Sequence, residues 1–149
     1  MSTVLVLNGP NLNLLGQREP EIYGTATLDD CIAVAQAAAE THGWELRAEQ
    51  YNSEGQMIDA IHAARSSADV IVVNPGAFTH YSYAIADALA AFSGVIIELH
   101  LSNVHAREEW RRTSVISPVA TGIIAGLGID GYGLAVHAAI SAHERGTRA

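Results

Sequence analysis

Short apolar runs rich in β-branched residues recur along the chain, and between them apolar positions return every three or four residues, as on one face of a helix. Thr3 to Leu7 is the first run. It ends at Asn8-Gly9-Pro10 and reads as a strand covered on both faces. Gly9 to Thr25 has no sustained period and contains three glycines and two prolines, which predicts a long loop. Thr27 stands where it can cap a helix whose apolar side is Leu28, Ile32, Ala35 and Ala39, with Asp29 and Asp30 in the first turn and Gly43 beyond the end. The alternation Trp44, Leu46, Ala48 predicts a second strand, and Met57, Ile58, Ile61 and Ala64 a second helix. Val70 to Val73 follows as a third strand, then a helical stripe at Ile85, Ala88, Leu89 and Phe92 before Gly94, and a fourth strand from Val95 to Leu99. A short polar helix is predicted over His105 to Arg112, a fifth strand over Gly122 to Ala125, and a terminal helix from about Tyr132.

Strands separated by helices pair in parallel through right-handed crossovers, with helices on both faces. The prediction is therefore an α/β protein with a doubly wound five-stranded parallel sheet of flavodoxin-like order. With 149 residues, 49 % of them apolar, the chain is expected to form a single domain over residues 1–149 with a real core. Sixteen acidic residues against eight basic ones leave a net charge of -8, which argues against nucleic acid held by nonspecific phosphate attraction. An anionic ligand must then meet a local basic cluster. Cys31 is the one cysteine, so neither an intrachain disulfide nor a thiolate metal cage is available, which suits a reducing cytoplasm. The run Val4 to Leu7 is too short for a secretory core or a membrane span, and a cytoplasmic location without membrane attachment is expected.

A sheet of this kind places its site outside the carboxyl ends of its strands. The first strand runs into Asn8, Asn11 and Asn13, the second into Asn52, the third into Asn74-Pro75-Gly76 with Thr79 and His80 beyond, and the fourth into Glu98-Leu99-His100 and Ser102-Asn103. Asn13, Asn52 and Asn103 are assigned to turns and caps. Capping has no use for histidine. Glu98 and His100 project to one face of an extended strand, so the carboxylate can hold one imidazole nitrogen and leave the other for a ligand, the layout of a general acid or base. An isolated Glu-X-His is ordinarily a surface ion pair, but this one ends an apolar strand at the predicted site edge.

The loop from Gly16 to Gly24 carries Arg18 and Tyr23. Lowering a phenol pKa from about 10 to about 7 requires roughly 4 kcal/mol. One close cation at an effective dielectric of about 20 supplies on the order of 4 kcal/mol before desolvation removes part of it. A tyrosinate so produced can take an activated proton from carbon in a water-poor pocket. All eight basic residues are arginine, and Arg107, Arg111 and Arg112 crowd the segment after the fourth strand. With Glu108 and Glu109 among them, Arg107 and Arg112 read as a solvated, salt-bridged surface. Arg111 is the ligand candidate. Backbone N–H groups of Leu101 and Ser102, near the start of the predicted helix, are placed to receive a carboxylate.

The order of these motifs closely resembles the type II 3-dehydroquinate dehydratases. The segments are LNGPNLNLLGQREPEIYG at Leu7 to Gly24, NSEGQMID at Asn52 to Asp59, NPGAFTHYSYAIADAL at Asn74 to Leu89, ELHLSNVHAREEWRRTS at Glu98 to Ser114 and GLGIDGY at Gly126 to Tyr132, together covering almost the whole chain. The resemblance implies the cofactor-free loss of water from 3-dehydroquinate to give 3-dehydroshikimate, the third step of the shikimate pathway. It implies Tyr23 as base at C2, Arg18 favouring the tyrosinate, Asn11 holding a water at the enolate oxygen, and His100, oriented by Glu98, as acid to the C1 hydroxyl. Asn74 supports His100 and that hydroxyl, Leu101 and Ser102 take the carboxylate, and His80 and Arg111 the ring hydroxyls. Asp87 corresponds to the family aspartate that reaches a neighbouring subunit's site, implying trimers assembled into a dodecamer. Departures are Tyr81 and Tyr83 around Ser82, Ala86 before Asp87, and Ser53 where a histidine is familiar, so Glu54 receives no catalytic duty.

Two other patterns lead elsewhere. Gly126-X-Gly128-X-X-Gly131 has dinucleotide-binding spacing, yet only 18 residues follow, too few for the next strand and its acid, so it reads as a tight turn. Seven histidines occur without HEXXH or paired cysteines, so no metal site is expected; His42, His62, His137 and His143 read as ordinary helix residues. The rival class is a flavodoxin-like binding or signalling module. A receiver would need paired acids where Asn8 and Gly9 stand, and an FMN carrier a hydroxyl-rich loop where Pro10-Asn11-Leu12-Asn13 stands.

Overall fold

Alternation along the strands builds the molecule. The computed structural model describes residues 1–17 and 19–146, with Tyr23 described by its backbone alone. Five parallel strands, β1 (Thr3–Asn8), β2 (Glu45–Gln50), β3 (Val70–Asn74), β4 (Val95–His100) and β5 (Gly122–Ala125), form one sheet in the order β2-β1-β3-β4-β5. This is the flavodoxin-like order that the strand and helix alternation predicts. The helices are α1 (Pro20–Tyr23), α2 (Leu28–Thr41), α3 (Glu54–Ala64), α4 (Tyr83–Ala90) and α5 (Asp130–Glu144). None of them is long and apolar enough to cross a membrane, among the described residues.

Side chains alternate across a strand, so each central strand feeds two cores. Val4 and Val6 of β1, Val70 and Val72 of β3, and Val95, Ile97 and Leu99 of β4 pack with residues of α2 and α5. Leu5, Leu7, Ile71, Val73 and Ile96 pack on the other face with residues of α3 and α4. The same parity continues into the polar strand ends. Asn8 and Asn74 follow on the α2 and α5 face, while Glu98 and His100 follow Ile96 on the α3 and α4 face.

Thr27 caps α2 as expected, within a reciprocal box: its Oγ1 accepts from Asp30 N at 3.2 Å, and Asp30 Oδ2 accepts from Thr27 N at 2.9 Å. Ser53 caps α3 and Ser82 caps α4. The Ser53 hydroxyl thus serves the helix start. Two glycines let the ends of β1 and β3 close on each other: a Cβ on Gly9 would lie 2.3 Å from Pro75 O, and one on Gly76, whose φ is +61°, would lie 3.2 Å from Pro10 O.

Three predicted boundaries are corrected. The long loop from Gly9 to Thr25 contains a 3-10 turn at Leu12–Leu14 and the one-turn α1. The terminal helix begins at Asp130. His105 to Arg112 is not a helix. It forms two 3-10 turns, Val104–Ala106 and Glu109–Arg112, with Arg107 extended between them (φ -114°, ψ -157°). Asn103 caps the first turn through His105 N at 3.1 Å, but this segment has no continuous hydrogen-bonded cylinder and so no helix start to aim at an anion.

Candidate active site

Glu98 and His100 lie two residues apart on β4, both buried, and His100 Nε2 is 2.6 Å from Glu98 Oε2. Three hydroxyls complete the carboxylate's surroundings. Thr79 donates to Oε2 at 2.8 Å, Ser114 to Oε2 at 3.0 Å and Ser117 to Oε1 at 2.5 Å. Burial by itself would raise the Glu98 carboxyl. The hydrogen bonds from His100, Ser117 and Thr79 outweigh it and hold the group below its ordinary value of 4.5. Glu98 is therefore a fixed anion that binds one imidazole nitrogen, and His100 Nδ1 has no protein hydrogen bond among the described residues.

A carboxyl with a lowered folded pKa adds stability that is fully present above its unfolded value, near 4.5, and is lost as pH falls through the lower folded value. Ser117→Ala removes the donor to Oε1, and hydrogen bonds to charged groups contribute about 1.5–3 kcal/mol. The variant is expected to lose stability by about that amount at pH 7 in urea unfolding, and the difference from the parent should shrink as the pH falls through the lowered Glu98 value and the carboxylate protonates. A deficit independent of pH would mean that Ser117 acts by packing alone.

His100 faces an open cleft of about 540 Å³ that also has Asn11, Asn74, His80, Leu101, Ser102, Arg107 and Arg111 on its walls. Among the described residues the walls carry two arginines and no carboxylate, so a chain of net charge -8 presents a locally cationic site. His80 is fixed by Nδ1, 2.8 Å from Thr113 O, and its ring lies nearly parallel to His100 at 6.4 Å. Burial lowers the His80 pKa, with the Thr113 carbonyl opposing and His100 and Arg111 reinforcing. Trp110 meets His80 edge-on at 5.1 Å, and the Arg111 guanidinium lies 4.1 Å from the Trp110 ring centre while its Nε contacts Glu108 at 3.0 Å. Arg111 is thus held in place before any ligand arrives.

Asn11 is one of two non-glycine residues with positive φ, at 69°, among the described residues. Its backbone N–H donates to Asn52 Oδ1 at 3.0 Å, and Gln50 Nε2 donates to the same oxygen at 3.0 Å and to Gly9 O at 3.1 Å. Asparagine tolerates this left-handed conformation better than most residues, which lets the turn after β1 carry an amide at the cleft. Asn52 serves the turn, as expected of it.

The chain matches the family profile described as Dehydroquinase class II over residues 2–140. It belongs to the class II dehydroquinases. A 3-dehydroquinate dehydratase from Halalkalibacterium halodurans is 52 % identical over 97 % of this chain and 100 % of its own length. A catabolic 3-dehydroquinase from Aspergillus clavatus is 56 % identical, covering 96 % of each chain. The crystal structure of the type II dehydroquinase from Butyrivibrio crossotus superposes with a TM-score of 0.90 at 45 % identity, over 93 % of this chain and 97 % of the other.

Within this class II dehydroquinase, the fold brings Asn11, Asn74, His80, His100, Leu101, Ser102 and Arg111 to one cleft, with Glu98 behind His100. Asp87 is not among them: it lies on the exposed side of α4. Arg18 and the Tyr23 side chain lie outside the described residues. Arg107 corrects the sequence reading. Rather than a solvated surface arginine, it is largely buried, lines the cleft and donates from Nη1 to Ser102 Oγ at 3.3 Å. The expected ion pair is present, with Arg107 Nε 3.9 Å from Glu108 Oε1. The extended backbone at Arg107, between two 3-10 turns, turns it inward. Nothing in the spacing of Thr79, Ser114 and Ser117 marks them as partners of Glu98, yet all three donate to it. A second, more open cavity of about 950 Å³ adjoins the cleft and shares His80, His100 and Arg111 with it.

Proposed function

We propose that this dehydroquinase removes water from 3-dehydroquinate, giving 3-dehydroshikimate, by acid–base chemistry of its own side chains without a cofactor. The observation that carries the reading is the buried Glu98–His100 pair opening on a cationic cleft. A carboxylated polyol with a leaving hydroxyl needs a basic site, polar ring partners and one positioned acid, and these occur together here.

In this reading Tyr23, as tyrosinate supported by Arg18, takes the C2 proton beside the ketone. The electron pair passes to the carbonyl oxygen, and the enolate is met by a water held on Asn11. The enolate collapses, the C1–O bond breaks, and His100 delivers the proton that lets the hydroxyl leave as water. Glu98 holds the imidazole in the orientation for this step. Asn74 supports His100 and the departing hydroxyl. The N–H groups of Leu101 and Ser102 receive the carboxylate, and His80 and Arg111 bind ring hydroxyls. Arg107, beside Ser102, adds a cation where the carboxylate sits. Asp87, exposed on α4, reaches a neighbouring subunit's site in trimers that build a dodecamer, and the enzyme works in the cytoplasm within the shikimate pathway.

The test follows enone absorbance in the ultraviolet after addition of 3-dehydroquinate. Strong turnover, unchanged by a metal chelator or by borohydride, is expected, because the proposed steps use no metal and the chain has no lysine to form an imine. Absence of turnover, together with stoichiometric FMN uptake seen in the visible spectrum, would replace the enzyme with a flavin carrier.

A further inference from the structure

Directly behind the cleft is a buried tyrosine that the proposed chemistry does not use. Asn8 and Asn74 are register partners at the carboxyl ends of the neighbouring strands β1 and β3, and both face α5. Tyr132, in the first turn of α5, places its hydroxyl between them. We propose that Tyr132 is a positioning residue whose hydroxyl dictates which end of the Asn74 amide is offered to the substrate; the inference rests on the reading of Asn74 as a support for His100 and the departing hydroxyl.

The two ends of an asparagine amide have nearly the same shape, so only hydrogen-bond partners distinguish them. Here the partners form a chain with one direction. Asn8 Nδ2 donates to Glu49 O at 3.1 Å, which leaves Asn8 Oδ1 as an acceptor. The Tyr132 hydroxyl donates its single proton to that oxygen at 2.7 Å. Toward Asn74 the phenol can therefore only accept, and it accepts from Asn74 Nδ2 at 3.1 Å. On its other side Asn74 Oδ1 accepts from Gly76 N at 3.2 Å. Reversing the Asn74 amide would set its NH2 against the Gly76 N–H donor and its oxygen against the phenol's lone pairs, in a place where Asn8 and Tyr132 are 0 % exposed and Asn74 3 %. Burial also pushes the Tyr132 phenol far above its ordinary value, so its proton stays in place. What remains for the cleft is one Nδ2 hydrogen and one Oδ1 lone pair of Asn74, each in a set position.

The test separates positioning from packing. Tyr132→Phe keeps the ring and its volume in the core while removing the hydroxyl. Its kcat is expected to fall about tenfold with KM within about twofold of the parent, because the misplaced amide supports the departing hydroxyl rather than initial binding. In an Asn74→Ala background the same change is expected to cost less than about twofold more, since the group it acts through is gone. Asn8→Ala, which leaves the phenol but releases its proton, should show the same loss of kcat and the same masking by Asn74→Ala; it provides the measurement if Tyr132→Phe does not fold. A tenfold loss that persists in full beside Asn74→Ala, or a Tyr132→Phe enzyme with parental kcat, overturns the inference while the Asn74 reading stands. An Asn74→Ala enzyme with parental kcat overturns both.

Discussion

Tyr23→Phe is expected to lower kcat by about 10²–10⁴-fold, the usual contribution of a positioned acid or base, with little change in KM. The change removes one oxygen and keeps the ring, so binding contacts of the loop persist while the proton acceptor is lost. The energetic argument sets the size of the effect. Ionising a phenol near neutrality requires roughly 4 kcal/mol, about what one nearby guanidinium supplies at an effective dielectric of about 20. Arg18→Ala should therefore also depress kcat, and raising the pH should restore part of its rate as the phenol ionises without help. The parent and both variants are compared by enone formation across pH, with circular dichroism to establish that the fold persists. Full turnover in Tyr23→Phe at every pH would remove Tyr23 from the mechanism and leave the cleft in search of another base.

His100→Ala is expected to cost about the same, 10²–10⁴-fold in kcat, through the other proton transfer. The structure makes this variant informative, because the Glu98 carboxylate keeps the hydroxyls of Thr79, Ser114 and Ser117 when the imidazole is gone. The anion stays solvated by protein groups, so the fold should survive and the loss should be chemical. The truncated side chain leaves a space on the cleft wall next to that anion, and added imidazole is expected to restore part of the turnover in proportion to its cationic form. Thermal unfolding near the parental temperature together with rescue by imidazole assigns the acid to this position. A His100→Ala enzyme with kcat within about twofold of the parent would place the acid elsewhere.

Much of the site could be read from strand ends because the parallel fold gives those ends a common destination. Glu98 and His100 were visible as a same-face pair, since two-residue spacing has one meaning in a strand. Arg107 was misread for the opposite reason. Its neighbours Glu108 and Glu109 carry the charge pattern of a solvated helix, and the pattern holds no trace of the two 3-10 turns that direct the arginine toward Ser102. Ser114 and Ser117 lie in a segment with no period, so their convergence on Glu98 leaves no mark in the order of residues. Tyr132 showed only its place near a helix start.

The amino-acid order by itself determined the five strands and the helices α2 to α5, their parallel arrangement and the edge on which polar groups gather, because hydrophobic periodicity and crossover handedness are local or nearly local properties. Only the tertiary structure decided that Glu98 is caged by three hydroxyls, that Arg107 joins the cleft, and that an α5 tyrosine ties the ends of β1 and β3 together. The first and last depend on hydrogen bonds between residues far apart in the chain, such as Tyr132 and Asn8, and the second on a local extended backbone that the charge pattern does not mark; such features follow from where the backbone brings two groups rather than from what stands beside either one.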